Sequence, residues 1–405
     1  MSQTILIVGA GQTAIAFAAK MRQLDETAKI TLIGEEPSLP YQRPPLSKKY
    51  MTGEMDAERL LLRPDDWYEE NRIECLTSKS VEKIDLANKQ LTANGETLSF
   101  DKLMIATGSR PRQLPEALGG GSLKGVYSLR DLKDADAIGA EITEGKQALI
   151  IGGGYIGLEA AAVLSTKGMK VRVIEMADRI LQRVAAKETS DFVRAKHKSH
   201  GVEIMEGVSL KSLEGDHGRV SKALFQEGPA LNVDLVLVGI GVLPNMEIAK
   251  EAGLVCGNGI EVDDLTRTSH PDIHAAGDVA SFEYRGNRIR LESVQNAIDQ
   301  AEHAAKVIVG ETAPYLPYPW FWSDQYDMKL QIAGLNLGYD QTVIRPGSRE
   351  GGQSVWYFQK GKFIAVDAIN DSKAYMFGKK ILELGRDITP DQASDAAFDL
   401  KSLIG

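Results

Sequence analysis

Residues 147–175 read QALIIGGGYIGLEAAAVLSTKGMKVRVIE, and this stretch decides the fold. An apolar run leads into Gly152, Gly154 and Gly157, Leu158 to Leu164 follow as a helix, and KVRVIE ends on Glu175. Strand, glycine loop, helix, strand and terminal acid together form a dinucleotide-binding unit. The first glycine permits a tight turn, the second lets the backbone approach a pyrophosphate, and the third lets helix and strand pack closely. The phosphates then lie at a helix N-terminus, where free N–H groups and the helix dipole favour an anion. A carboxylate at Glu175 suits the free 2′-hydroxyl of NADH and repels the 2′-phosphate of NADPH. Arg179, close in sequence, is the residue that argues the other way.

The chain opens on the same pattern. TILIVGAGQTAIAFAAKMRQLDETAKITLIGEE, residues 4–36, places Gly9 and Gly11 at the first two glycine positions and Ala14 at the third. Ala14, Phe17, Ala18, Met21 and Leu24 fall at helical spacing and predict an apolar face packed on a sheet. After the second strand, Glu35 stands where a carboxylate could accept from an adenosine ribose, with Glu36 beside it as the alternative. A lone G-x-G-x-x-G is a weak signal, often only a flexible turn. Two of them, each inside a full strand–helix–strand unit, are not.

The chain of 405 residues can bury two or three domain cores at roughly 150 residues each. Its 43% apolar and 25% charged content is that of an ordinary soluble globular protein. A formal charge of -9 argues against a nucleic-acid-binding protein. No apolar run approaches the roughly 20 residues that span a bilayer, and no secretory signal is visible. Cys75 and Cys256 are far apart, so a disulfide framework is not expected and a cytoplasmic location is.

Three further segments carry signals. KLMIATGSRPR, residues 102–112, is a strand broken after Ala106 by Thr107 and Gly108. LVLVGIGVLPN, residues 235–245, repeats that form with Gly239, Gly241 and Pro244. TRTSHPDIHAAGDVA, residues 266–280, ends in a turn carrying Asp278. Each alone reads equally as a buried strand meeting a turn.

The order of all five segments resembles the glutathione-reductase-like flavoproteins with two dinucleotide-binding domains. That resemblance implies an α/β fold: two Rossmann-like domains, for FAD and NAD, plus a C-terminal α+β domain. The implied boundaries are 1–112 and 245–321 for FAD, 113–244 for NAD, and 322–405 for an interface domain. The first loop would hold the ADP part of FAD and the second NADH, with Ala106, Thr107, Gly108 and Gly241 lining cofactor sites. Asp278 would contact the ribityl chain or pyrophosphate.

Thiol-dependent members of this family carry redox cysteines where this chain has LPYQRPPLSKKY, residues 39–50, which contains none. A thiol relay is therefore not expected. YQRPPLSK instead resembles the ferredoxin reductases of bacterial oxygenase systems, the putidaredoxin reductase type. By that resemblance Arg43 and Lys48 contact FAD, and Glu159 lies near the nicotinamide. A plain structural ion pair is the bland reading of Lys48 and Glu159. In RLESVQNAIDQA, residues 290–301, Val294 and Gln295 would present a helix N-terminus to the flavin. Trp320 and Trp322, in YLPYPWFWSDQYDMKLQIAG, read either as interface core or, by the resemblance, as residues at the electron exit.

No iron–sulfur cluster or other metal site is expected, because two distant cysteines cannot supply four thiolates. The implied activity takes a hydride from NADH to FAD and passes electrons singly to a separate [2Fe–2S] ferredoxin. Arg285, Arg288, Arg290, Lys360 and Lys362 are basic residues that would steer an acidic partner, or form an ordinary solvated face. The alternatives are a rubredoxin reductase, an NADH oxidase, or an FAD-dependent interaction protein resembling apoptosis-inducing factor. The expected state is monomer or weak homodimer.

Overall fold

The structure, a computed structural model, describes residues 2–119, 121 and 123–405. The chain divides into two compact units. One comprises Met1–Arg43, Ala57–Arg110 and Val242–Pro319; the other comprises Pro44–Asp56, Pro111–Gly241 and Trp320–Gly405.

The first unit is built on a five-stranded parallel sheet. Its order is Ile273–Ala275, Lys102–Ile105, Thr4–Val8, Lys29–Ile33 and Ile73–Leu76. Ile5, Leu6, Ile7 and Val8 are all buried, as expected for a strand covered on both faces. The helix Gln12–Leu24 buries Ala14, Phe17, Ala18 and Met21. These residues join Ala301, Ala304 and Ala305 of the helix Val294–Ile308 in one core cluster. Leu24, grouped with the same apolar face from its spacing, is 41% exposed at the helix end. The short strand Ile273–Ala275 joins the sheet beside Lys102–Ile105, in register Ala275 to Ile105, and so carries Gly277 and Asp278 to the end of the sheet where the first glycine loop lies.

The second unit repeats this plan. Gln147–Ile151 is central, flanked by Lys170–Glu175 and Leu235–Val238, with Glu203–Glu206 and Val126–Tyr127 at the edges. All four residues of Leu235–Val238 are buried. The same unit contains a five-stranded antiparallel sheet formed by the C-terminal segment. Its order is Trp320–Gln325, Met328–Gly334, Lys362–Ile369, Gln353–Gln359 and Gln341–Pro346. The helix Ser372–Glu383, capped by Asp371 accepting from Ala374 N, contributes Ala374 and Ile381 to the core against Trp356, Phe358 and Val366. The segment Pro44–Asp56 groups with this unit rather than with the first. Among the described residues no helix is long and apolar enough to cross a membrane.

Candidate active site

In the first unit the central strand ends at Gly9, whose φ is +109°. A Cβ there would lie 2.3 Å from the Ala106 carbonyl oxygen, so only glycine allows turn and strand to meet this closely. A Cβ on Gly11 would meet nothing within 4 Å, and the helix that begins beyond it has no side-chain cap. Its first amides take no side-chain cap and fit an anionic pyrophosphate.

The late Gly-Asp turn closes the same corner, since a Cβ on Gly277 would lie 2.3 Å from Thr13 Oγ1. Asp278 Oδ2 accepts from Ser109 Oγ at 2.8 Å, and Arg290 Nη1 donates to the Asp278 carbonyl at 2.9 Å. Arg290 Nε and Gln300 Nε2 are buried donors with no hydrogen-bond partner among the described residues. Glycine loop, carboxylate and buried donors together fit FAD. Ala106 is buried, and Thr107 and Gly108 are clasped by Asn245. Thr107 Oγ1 donates to the Asn245 carbonyl at 2.6 Å, and Asn245 N donates to the Gly108 carbonyl at 3.0 Å.

Of the two candidate ribose carboxylates, Glu36 is paired with Arg43 and bonded by Tyr41, whereas Glu35 is exposed. Arg43 therefore neutralises an acid beside the loop. Val294 and Gln295 open the helix Val294–Ile308, where Ser293 caps the Asn296 amide at 3.1 Å and Gln295 Nε2 donates to Asp299 at 2.6 Å.

The second loop has nearly the same geometry. Gly152 has φ +108°, and a Cβ there would lie 2.4 Å from the Gly239 carbonyl oxygen. Gly154 is open within 4 Å, and a Cβ on Gly157 would strike the Gly152 carbonyl at 2.3 Å. Glu175 is held by two backbone amides, Gly153 N on Oε2 and Ala177 N on Oε1, each at 2.8 Å. A carboxylate fixed at the end of this strand fits a dinucleotide ribose. Arg179 is turned away into Ser190 and the carbonyls of Gln182 and Ala185. Gly241 has φ +105°, with Arg112 and Arg183 both approaching it within 4 Å of a Cβ position. Nothing in the spacing of the chain singles out either arginine.

Lys48 and Glu159 meet in the second unit. Lys48 Nζ donates to Glu159 Oε2 at 2.6 Å, on a carboxylate only 7% exposed. Two residues absent from the sequence-based site complete the arrangement. Ser47 Oγ donates to the same oxygen at 2.7 Å, and Ser323 Oγ donates to Oε1 at 2.7 Å. Ser47 precedes Lys48 directly, so the PPLSK motif carried the signal; Ser323 follows Trp322 with no signal of its own. The turn Pro44–Ser47 presents Ser47, and the helix Tyr155–Thr166 presents Glu159 one turn past Gly154.

Trp320 and Trp322 lie on one strand with ring centroids 5.8 Å apart. Lys379 Nζ sits 4.9 Å above the Trp320 ring, and Tyr375 meets its edge. Both tryptophans are half-buried. Among the basic residues considered for steering, Arg290 does not qualify. Its side chain is 8% exposed and bonded to Glu292, because its guanidinium supports the Asp278 turn. Arg288 leans on Glu261 and Glu283, and Arg285 covers Tyr284. Lys360 and Lys362 are exposed. Both cysteines are free. Burial pushes the Cys75 thiol up to about 11 and also raises Cys256, so both are held as thiols. No group of residues able to hold a metal occurs among the described residues.

Two glycine loops of matched geometry, one beside a carboxylate fixed by two backbone amides, fit a nucleotide-dependent flavoprotein oxidoreductase. Residues 3–301 match the family model for pyridine nucleotide-disulphide oxidoreductases, and residues 320–404 match the reductase C-terminal model. The ferredoxin reductase subunit of 5,5'-dehydrodivanillate O-demethylase from Sphingobium sp. is 40% identical over 403 residues, spanning 98% of this chain and 97% of that protein. The crystal structure of the ferredoxin reductase for the CYP199A2 system of Rhodopseudomonas palustris superposes with TM-score 0.96 at 40% identity, covering 100% of both chains. Putidaredoxin reductase, in its covalent complex with putidaredoxin, superposes with TM-score 0.95 at 35% identity over 99% of this chain and 98% of that one. The chain belongs to the pyridine nucleotide-disulphide oxidoreductase family, in its FAD-dependent ferredoxin reductase branch.

Proposed function

We propose that this chain is an NADH-dependent reductase that passes electrons one at a time from FAD to a [2Fe–2S] ferredoxin serving a cytochrome P-450 or ring-hydroxylating oxygenase. The observation that carries this reading is the pairing of two near-identical glycine loops with a chain that has no cysteine in the 39–50 segment. Electrons taken from a nicotinamide then find no thiol in that segment, which favours their delivery to a separate partner. Bound FAD supplies the change from a two-electron donor to one-electron delivery.

In this reading residues 1–112 and 245–321 hold FAD, 113–244 hold NADH, and 322–405 form the interface domain. Gly9, Gly11, Ala14 and Asp278 hold the FAD phosphates and ribityl chain. Gly152, Gly154 and Gly157 hold the NADH pyrophosphate. Glu175, locked by two amides, takes the adenosine ribose and excludes a 2′-phosphate, and Arg179 is too committed to welcome one. Glu159 orients the nicotinamide as a fixed anion neutralised by Lys48. Trp322 and Trp320 line the route to the partner. The protein acts in the cytoplasm as a monomer or weak homodimer.

The test is NADH-driven cytochrome c reduction with and without a [2Fe–2S] ferredoxin. Acceleration by orders of magnitude, with NADPH a poor donor, is the expected result. Fast flavin bleaching by NADH without acceleration by any ferredoxin would remove the partner from the proposal.

A further inference from the structure

The Glu159 carboxylate is the end of a longer buried chain within the second unit. Ser323 Oγ, donating to Glu159 Oε1, is itself 3.1 Å from Gln325 Nε2. Gln325 Oε1 is 2.7 Å from His197 Nε2, and His197 Nδ1 is 3.3 Å from the Tyr326 hydroxyl. Ser323 and His197 are 0% exposed and Gln325 is 1% exposed, so the links among these three residues are shut off from bulk solvent. The chain draws on three elements: the helix Lys187–Ser199, the strand Trp320–Gln325, and the helix Tyr155–Thr166 that carries Glu159.

The directions of these bonds follow from one charge. A carboxylate only accepts, so Ser323 must give its single proton to Glu159. Ser323 then has only lone pairs for Gln325, which must present its amide nitrogen. The Gln325 oxygen is thereby turned to His197, which must carry its proton on Nε2. Burial pushes the His197 imidazole down to about 4, which keeps it neutral and leaves Nδ1 to accept. Every donor points toward Glu159, and aligned hydrogen bonds in a buried chain polarise one another.

We propose that Ser323, Gln325 and His197 are positioning residues for Glu159, holding it in one rotamer as an oriented acceptor for the nicotinamide. This rests on the role given to Glu159 above. Lys48 and Ser47 occupy one carboxylate oxygen, and the chain occupies the other. The three residues lie in segments that no cofactor motif marks.

Glu159→Gln tests the chain directly. The glutamine oxygen must stay with Lys48 and Ser47, so its NH₂ faces Ser323 and donates. Ser323 then donates to Gln325, the Gln325 amide reverses, and its nitrogen meets His197 Nε2. The imidazole proton must move to Nδ1. In ¹⁵N-histidine-labelled holoenzyme, with the His197 signal assigned by its loss in His197→Gln, we expect the Nε2–H tautomer in the parent chain and Nδ1–H in Glu159→Gln. An unchanged tautomer overturns the chain, whatever the activity does. Ser323→Ala should raise the KM for NADH about tenfold with a smaller change in kcat, by loss of one charged hydrogen bond, and Ser323→Thr should restore it. If the tautomer moves but neither Glu159→Gln nor Ser323→Ala alters the KM or NAD⁺ binding, the role of Glu159 at the nicotinamide fails and the positioning proposal fails with it, while the hydrogen-bond chain stands.

Discussion

Asp367 offers a quantitative test of the C-terminal sheet. It lies in the strand Lys362–Ile369, is 1% exposed, and accepts from Thr189 Oγ1 at 2.7 Å and from the Tyr357 hydroxyl. Both donors are neutral hydroxyls on the same oxygen, so they only partly offset desolvation. Burial pushes the carboxyl from its ordinary 3.8 up to about 6. The folded state therefore binds more protons than the unfolded state between these two values, and this group's contribution to stability falls as pH rises through that window. The full cost is about 3 kcal/mol, of which about 2 kcal/mol accrues between about pH 4.5 and about pH 7.5.

His197 and His274 act in the opposite sense. Burial holds each near 4 instead of 6.5, so the unfolded chain binds more protons there and stability rises with pH. At about 3 kcal/mol apiece they outweigh Asp367, and the parent chain should still become more stable as pH rises. Asp367→Asn isolates the carboxylate, because an amide oxygen in place of Oδ2 keeps both hydroxyl donors. Urea unfolding of holoenzyme should show Asp367→Asn gaining about 2 kcal/mol on the parent between the two pH values. A difference between the two proteins that stays constant with pH would refute the reasoning.

Gly9→Ala places a Cβ 2.3 Å from the Ala106 carbonyl and should reduce the flavin-to-protein absorbance ratio of the purified protein, whereas Gly152→Ala, at 2.4 Å from Gly239, should keep its flavin and lose NADH reduction. Glu175→Ala should lower the NADH-to-NADPH ratio of kcat/KM at least about tenfold, roughly 1.4 kcal/mol; an unchanged ratio would mean that specificity lies elsewhere. With Cys75 pushed up to about 11 and Cys256 also raised, neither thiol should react quickly with a disulfide reagent at neutral pH. The Cys75→Ser, Cys256→Ser double variant should retain ferredoxin-dependent turnover, and its loss would reinstate a thiol step.

Both dinucleotide units were legible because their constraints are local. A glycine at a positive φ against a neighbouring strand, a small residue in the helix and an acid after the next strand all fall within about thirty residues. Register makes the limit of that reading visible. Val8 pairs with Ile33 and Ile151 with Ile174, so Glu175 occupies the place of Gly34, and Glu35 lies one residue later. The choice between Glu35 and Glu36 could not be made from spacing, since what separates them is the tertiary engagement of Glu36 by Arg43 and Tyr41. The same holds for Arg290, which looks like a surface cation until its guanidinium is seen beneath Asp278.

The strand Trp320–Gln325 shows why the rest was hidden. Its alternation puts Phe321, Ser323 and Gln325 on one face, where Phe321 packs 5.0 Å from Tyr155 and the other two are buried. Trp320, Trp322 and Asp324 take the opposite face. A strand announces itself when its inner face is apolar, but here two of three inward positions are polar, because Ser323 serves a carboxylate 164 residues away and Gln325 serves Ser323 and His197. The hydrophobic period is erased where the buried network is strongest. A one-residue slip would turn the tryptophans onto Glu159 and expose Ser323 and Gln325, leaving the carboxylate with no donor on Oε1. Register here is therefore held by hydrogen bonds that must all be satisfied as well as by the aromatic packing of Phe321.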